Sequence, residues 1–297
     1  MNKPMKKTAL LLISIFSLFS CASEEREPVD PESLAIPAVT LTPSEKLDKD
    51  VDESSGIAKS RTYSDVYWLH NDSGDKSVIY PMSLNNEDLK NSVKIPGIKN
   101  NDWEDITIDD YGSIIIGDFG NNKNGEGPFS LYKFLEPDPY KGIMRGTVDT
   151  YLFVYPDYSD TPETKNFDCE AVFWFSGKIY LLTKHWSDLK TTLYRFDSLE
   201  TDKILKPSRI TDFEIYGMVT GAEASHDMSK LAVITYTSIW VFSDFKDDRF
   251  FSGSIYYLPV RAGQIESVCF EDKDTLIITN EQRNLFKVDL SMLKRVR

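Results

Sequence analysis

The sequence is poor in the residues that hold zinc or build disulfide frameworks, with three cysteines and three histidines in 297 residues. The cysteines are Cys21, Cys169 and Cys269, and no two of them form a C-x-x-C pair. Two widely spaced cysteines in the body of the chain do not make a disulfide framework, so we expect Cys169 and Cys269 to be buried free thiols. A disulfide scaffold and a zinc module are therefore excluded.

Positive charge is also scarce, since 34 Lys and Arg stand against 47 Asp and Glu and give a formal net charge of -13. So acidic a chain would repel nucleic-acid phosphates, and we expect no nucleic-acid partner. The sequence also contains no G-x-S-x-G, P-loop or zinc signature. No catalytic residue can be named from such motifs, and whether the protein is an enzyme stays open.

Long apolar runs are absent except near the start, where three lysines precede Ala9–Phe19. This run is too short to span a bilayer as a helix and is typical of the hydrophobic region of a secretory signal peptide, predicted here over residues 1–20. The following "LFSC" resembles the lipobox of bacterial lipoproteins, which implies lipidation of Cys21 after cleavage. Ala22, which is not aspartate, then implies sorting to the outer membrane. An ordinary secreted protein cut near Ser20 is the alternative.

The rest of the chain divides into a tether and one large domain. Residues 21–36 are acidic and contain prolines, as in a flexible tether. Residues 37–297 are long enough for a single large core. We expect a monomer in the bacterial cell envelope, anchored to the membrane by lipid and facing either the periplasm or the surface.

Long helical periodicity is missing from this domain, whose short apolar runs are rich in tyrosine and valine and broken by Asn, Asp, Gly and Ser. That pattern predicts an all-β fold. A motif recurs at intervals of about 43–66 residues, as "SSGIAKS", "WEDITID", "CEAVFWF", "AEASHDM" and "IESVCFE". Aligned, these segments place five residues at one position: Ser55, Glu104, Glu170, Glu223 and Glu266.

Each motif is followed by further apolar runs, so every unit predicts four strands. The fifth unit stops at Arg297 without its fourth run, and "PAVTLTPSEK" at residues 37–46 is free to supply it. Repeats of this size predict a single β-propeller of five four-stranded blades closed by an N-terminal strand, which removes an open edge. The long second interval leaves a sixth blade as an alternative.

In a propeller, the starts of the innermost strands and the loops after the second strands share one face. The five aligned residues are therefore expected to ring one mouth of the channel, and plain hairpin turns are expected at the opposite end. The loops at this mouth contribute our candidate ligand-binding residues: His70, Asn71, Asp72, Asp118, Asn121, Asn122, Lys184, His185 and Arg283. His70 has an alternative interpretation as an exposed turn residue.

Several carboxylates around one channel raise each other's pKa unless something offsets their charge. A hard cation such as Ca²⁺ is one solution, which predicts a metal site at Ser55, Glu104, Glu170, Glu223 and Glu266. The other is structural: each glutamate accepts hydrogen bonds from the backbone of the neighbouring blade. Both interpretations stay open.

The domain resembles exported propeller proteins known loosely as phytase-esterase-like, through "SGIA", "HNDSGD", "WED", "GDFGNN" and "EAVF". It also bears a looser similarity to five-bladed calcium-dependent nucleotidases. This similarity implies a Ca²⁺ site at the five aligned residues named above. Two functions follow as expectations: binding of a ligand or partner at the mouth, or metal-dependent hydrolysis of phosphate esters. The mouth offers few cationic side chains for a phosphate, which favours binding.

Overall fold

A computed structural model describes residues 28–74, 76–85, 88–159 and 165–297. The predicted signal peptide, Cys21 and the first part of the tether lie outside the described residues. Before the first strand, Pro31–Leu34 form a short 3-10 helix, and two more such helices follow at Phe250–Ser252 and Leu290–Met292. Across the described part of the chain, no helix has the length and hydrophobicity that crossing a bilayer requires.

The strands form five sheets arranged around a central channel. The first two strands, β1 (Val39–Thr40) and β2 (Glu45–Lys46), belong to the last two blades. The blades then follow in chain order: blade 1 with β3 (Ser54–Lys59), β4 (Val66–Asn71), β5 (Val78–Ser83) and β6 (Val93–Lys94); blade 2 with β7 (Trp103–Ile108), β8 (Ser113–Asp118), β9 (Phe129–Asp138) and β10 (Ile143–Phe153); blade 3 with β11 (Asp168–Phe175), β12 (Lys178–Lys184), β13 (Lys190–Phe196) and β14 (Ser208–Glu214); blade 4 with β15 (Val219–Ala224), β16 (Lys230–Thr235), β17 (Ser238–Ser243) and β18 (Ser254–Arg261); blade 5 with β19 (Ile265–Phe270), β20 (Thr275–Asn280) and β21 (Asn284–Asp289); and a last short strand, β22 (Lys294–Arg295).

The predicted five-bladed propeller is confirmed, and the six-blade alternative is wrong. The long second interval is used by an extended hairpin, because β9 and β10 have 10 and 11 residues where most strands have six to eight. The innermost strands β3, β7, β11, β15 and β19 contact one another in sequence around the channel.

Closure by the N-terminal strand is also confirmed. β2 pairs antiparallel with β21, with Glu45 opposite Leu285, and so completes blade 5. β1 pairs parallel with β18 and extends blade 4, as β22 does from the other end of the chain. The segment at residues 37–46 therefore joins two blades rather than one.

The core lies between the blades, in five clusters of apolar side chains, one at each junction of consecutive blades. The innermost strands are covered on both faces, so β7 and β19 are buried along their whole length. The outermost β14 instead alternates between half-buried and exposed residues. Cys169 and Cys269 are buried free thiols at two of these junctions, as expected.

Candidate functional site

Each innermost strand has a break in pairing at the same place near its start. In blade 2, for example, Trp103 pairs with Asp118 and Asp105 pairs with Gly117, which leaves Glu104 unpaired between them. This is a β-bulge, which inserts one extra residue and redirects its side chain. The bulge residues of the five blades are Ser55, Glu104, Glu170, Thr220 and Glu266.

The prediction that Glu223 shares this ring is wrong. The register of β15 places Thr220 at the bulge, and Glu223 pairs with Ala232 three residues further along. Glu223 lines a cavity at the opposite end of the channel, where its Oε2 accepts a hydrogen bond from Thr107 Oγ1 at 3.2 Å. The repeat alignment matched Glu223 to the other ring residues by residue type. Which residue lies in the ring is decided instead by the pairing of the strand, which leaves one residue unpaired.

The hydroxyl residues of the ring fasten one blade to the next. Ser55 Oγ donates to the carbonyl oxygen of Glu104 at 2.7 Å, and Thr220 Oγ1 donates to that of Ile265 at 2.9 Å. The backbone of a neighbouring blade is bound by Asp105, whose Oδ2 accepts from Val172 N at 2.9 Å. The structural role expected of the ring glutamates is therefore carried by Asp105, Ser55 and Thr220.

The mouth contains a cavity of about 560 Å³, and Ser55, Glu104, Glu170 and Glu266 all line it. Among its described lining residues, acidic side chains far outnumber basic ones. The acidic ones are Asp52, Glu53, Asp72, Glu104, Glu170, Glu266 and Glu281, and the basic one is Lys184. The mouth is thus a strongly acidic, partly enclosed space.

Lys184 neutralises one side of this cavity. Its Nζ donates to Glu170 Oε1 at 2.6 Å and lies 3.9 Å from Asp168 Oδ2, with the rings of Trp186 and Tyr236 close by. Burial lowers the pKa of Lys184, but the adjacent carboxylates of Glu170 and Asp168 outweigh burial and hold that pKa above its usual range. Lys184 is therefore a permanent cation inside the mouth.

Within the described part of the chain, no basic side chain forms an ion pair with the carboxylates on the other side, and their surroundings disfavour the charged form. Burial, followed by the charges of Glu170, Asp72 and Asp102, raises the pKa of Glu104 well above its ordinary value. Burial and then the charge of Asp72 raise the pKa of Asp102 to about 6. For Glu266, burial raises the pKa to about 9, although Gln264 donates to its Oε1 at 2.7 Å. A bound cation would offset this cost.

Three of these groups converge closely enough to hold a metal ion. One oxygen each of Asp72, Asp102 and Glu104 lies within 4.8 Å of the others. Gly120 lies against them, since a Cβ there would lie 2.1 Å from Glu104 Oε1 and 2.4 Å from Asp102 Oδ2, so both carboxylates would have to move. Neither Asp102 nor Gly120 is among the sequence-predicted site residues. The signals were the acidic residue two positions before the aligned glutamate and the second glycine of "GDFGNN".

Of the nine predicted ligand-binding residues, the structure places Asp72, Asn122 and Lys184 at the cavity wall. The other six are not among its lining residues: His70, Asn71, Asp118, Asn121, His185 and Arg283. The buried ones support the loops instead. Asp118 accepts from Asp102 N at 2.7 Å, and Asn121 Nδ2 donates to the carbonyl oxygen of Phe167 at 3.0 Å.

His70 is neither a ligand contact at the mouth nor an exposed turn residue, and both interpretations are wrong. It is fully buried, with its ring edge-on to Trp103 at 5.7 Å between centroids. Gly56 makes room for it, because a Cβ there would lie 2.2 Å from His70 Nε2. Burial lowers the pKa of His70 to about 4, so the imidazole is neutral at physiological pH.

The remaining three residues also serve the scaffold. Asn71 Nδ2 donates to the carbonyl oxygen of Asp50 at 2.9 Å. His185 is hydrogen-bonded to Asp188 at 2.8 Å. Arg283 occupies the left-handed position of the β20–β21 turn, with φ of 60°. Asn71 and His185 therefore hold the loops through hydrogen bonds, and Arg283 contributes through its backbone conformation.

No family model matches the chain, and no curated protein matches it. Among solved structures, one named as a candidate gluconolactonase is similar at 11% identity and a TM-score of 0.47, covering 82% of this chain and 76% of that one. The WD40 β-propeller domain of Doa1 is similar at 10% identity and a TM-score of 0.39, covering 87% of this chain and 72% of the other. These likenesses are to β-propellers and carry no argument about activity.

Proposed function

We propose that this protein is a lipid-anchored, exported β-propeller that binds a ligand or partner at the acidic mouth of its channel, with a Ca²⁺ ion held there as a structural element. The observation that carries the proposal is the convergence of Asp72, Asp102 and Glu104, whose oxygens lie within 4.8 Å of one another. Phytase-esterase-like propellers, which the sequence resembles, are the family in which we place it.

The donor set favours a hard cation. Ca²⁺ takes about 6 to 8 oxygen ligands from carboxylates, carbonyls and water. The cluster supplies three carboxylates, and Asn122 and Ser55 line the same cavity. Neither described cysteine lies there, which disfavours softer metals. Lys184 pairs with Glu170 and Asp168, so none of the three convergent carboxylates is in an ion pair with it.

Binding is better supported than the alternative, hydrolysis of phosphate esters. A phosphoryl group needs cationic side chains near the metal. Among the described lining residues, Lys184 is the basic side chain, and it is engaged with Glu170. Arg283 and His185 are not lining residues. A phosphate ester would face a largely acidic wall.

The metal is tested by thermal unfolding of the wild type and of Asp102→Asn/Glu104→Gln, with chelator and with Ca²⁺. Wild type should melt at a lower temperature in chelator, and Ca²⁺ at a hundredfold excess over Kd should restore about 2.7 kcal/mol. The double variant should not respond to Ca²⁺, because two of the three convergent carboxylates are gone.

The matched control is Asp149→Asn/Glu200→Gln, which removes the same charges from exposed positions. It should respond to Ca²⁺ as the wild type does. A wild type whose melting temperature is the same in chelator and in Ca²⁺, with no heat of Ca²⁺ binding by calorimetry, would rule out the metal.

The anchor is tested separately, in cells. Cys21→Ala should abolish lipid attachment and move the protein from the membrane fraction to the soluble fraction of the cell envelope. Detergent phase partitioning measures this directly. Equal partitioning of mutant and wild type would contradict lipidation and favour an ordinary secreted protein.

A further inference from the structure

The end of the channel opposite the mouth carries more than plain hairpin turns. It contains a second cavity of about 480 Å³, formed where the innermost strands end. Arg61, Glu223 and His226 line it, and Phe270 supplies an apolar wall. Charged side chains thus gather at this end of the channel as well as at the mouth.

Arg61 presents an incompletely bonded guanidinium to this cavity. Its Nη1 donates to His226 Nδ1, while its Nη2 lies 3.9 Å from Glu223 Oε1, beyond hydrogen-bonding distance. Its Nε is buried and has no hydrogen-bond partner among the described residues. A guanidinium is always protonated, and its Nε and Nη2 edge is the one that grips a planar oxyanion with two parallel hydrogen bonds. This edge is free.

The acidic groups nearby do not fill that role. Burial raises the pKa of Glu223 to about 8 even with Arg61 beside it, so its carboxyl is mostly protonated at neutral pH. Asp227 accepts from Ser225 Oγ at 2.7 Å and from Ser229 N at 3.0 Å, and Asp110 accepts from Trp174 Nε1 at 2.9 Å. Among the described residues, the unbonded donors of Arg61 thus have no charged acceptor within hydrogen-bonding distance, a costly state for a buried donor.

We infer that this second cavity binds the carboxylate group of a small organic acid, to which Nη2 of Arg61 and the carboxyl group of Glu223 each donate a hydrogen bond. His226 positions Arg61, since the contact of Nδ1 with Nη1 fixes the plane of the guanidinium. The apolar wall at Phe270 suits an organic group. The other charged side chains that line the cavity are acidic on balance and would repel a dianion more than a monoanion, which favours carboxylate over phosphate. Four are acidic (Asp110, Asp227, Glu271 and Asp272) and two are basic (Lys59 and Lys273).

The test uses the full mature protein, with sodium acetate as the probe and the Arg61 Nε–H resonance in ¹⁵N–¹H NMR as the readout. That resonance is assigned by its absence in Arg61→Lys. It should shift with acetate in a saturable manner in about the millimolar range. Acetamide and sodium chloride at equal concentration should leave it unmoved, because neither is a planar oxyanion.

Two substitutions test whether acetate binds at Arg61. Arg61→Lys should bind acetate about tenfold more weakly by calorimetry, since a lysine keeps the charge but loses the planar guanidinium whose Nη2 reaches the ligand. Arg145→Gln, at an exposed position of β10, should bind as the wild type does. Thermal melts establish that both variants are folded. An unmoved Arg61 resonance, tighter binding of inorganic phosphate than of acetate, or an equal loss in Arg145→Gln would each overturn the inference.

Discussion

Lys184→Met should destabilise the propeller strongly, although it replaces a polar residue by an apolar one of similar length. Lys184 is only 4% exposed, and its Nζ lies 2.6 Å from Glu170 Oε1. Burial raises the pKa of Glu170 to about 8 even beside Lys184, so the proteins are compared above pH 8, where Glu170 is ionised in the wild type. Under that condition, removing one partner of a buried ion pair leaves the other charge without compensation, at a cost of about 3–5 kcal/mol. For a domain of this size, each kcal/mol lowers the melting temperature by about 2–4 °C. We expect a decrease of about 6–20 °C.

A second substitution shows where this cost arises. Asp168 is satisfied without Lys184, because its Oδ2 accepts from Trp186 Nε1 at 2.8 Å and its Oδ1 binds Asn121 N. The uncompensated group is therefore Glu170. Lys184→Met/Glu170→Gln should recover most of the lost melting temperature, since both charges of the pair are then absent.

The assay is thermal unfolding followed by circular dichroism, in chelator so that no metal replaces the lost cation. Lys190→Met is the matched control, because Lys190 lies 3.8 Å from Glu214 in an ion pair whose side chains are both more than 40% exposed. Exposed pairs contribute about 0–1 kcal/mol, so the control should melt close to the wild type. A Lys184→Met protein that melts like this control, or a double variant no more stable than the single one, would refute the argument.

Three further predictions concern closure, the carboxylate cluster and pH. Deleting residues 37–46 removes β1 and β2, so the edges of blades 4 and 5 should be exposed. We expect a lower melting temperature and self-association in sedimentation. A variant that stays monomeric with an unchanged melting temperature would contradict this. Gly120→Ala should abolish the Ca²⁺ response, because the new Cβ would collide with Glu104. Gly125→Ala is the control and should retain the response, since a Cβ there has its nearest contact at 3.5 Å. Equal Ca²⁺ responses of the two variants in thermal melts would count against the cluster. Glu223 has its pKa raised from 4.5 to about 8 in the folded protein, so its contribution to stability is fully present below pH 4.5 and is lost as pH rises to about 8. The free energy of unfolding of wild type relative to Glu223→Gln should therefore fall by up to about 5 kcal/mol over that range in urea titrations, and a constant difference would show that Glu223 is not buried in its protonated form.

The fold was predictable from the sequence because the same motif recurs in every blade. Each blade needs alternating strands and turns of its own, so the pattern appears five times and errors in one repeat are corrected by the others. Closure was predictable for a related reason: blade 5 lacks a fourth run, and residues 37–46 had no other place in the repeat. The parallel pairing of β1 with blade 4 could not be predicted, since a two-residue strand leaves almost no pattern.

The site was only partly predictable, because spacing along a strand does not show where pairing slips. Glu223 stood in an apparently equivalent motif, but the bulge of β15 occurs three residues earlier, at Thr220. His70 stood in a polar segment and is nevertheless buried, because Gly56 on the adjacent strand leaves space for its ring. Such features depend on contacts between strands, which residue types in one segment do not reveal.

The bulge also explains how one position can serve two purposes. A short hydroxyl side chain there, as in Ser55 and Thr220, hydrogen-bonds to the backbone of the next blade. A glutamate at the same position, as in Glu104, lines the mouth cavity instead. The contact between blades 2 and 3 is kept by the next residue, since Asp105 accepts from Val172 N. Because the fastening of blades and the charge of the mouth depend on different residues, the mouth can carry many carboxylates while the ring stays closed.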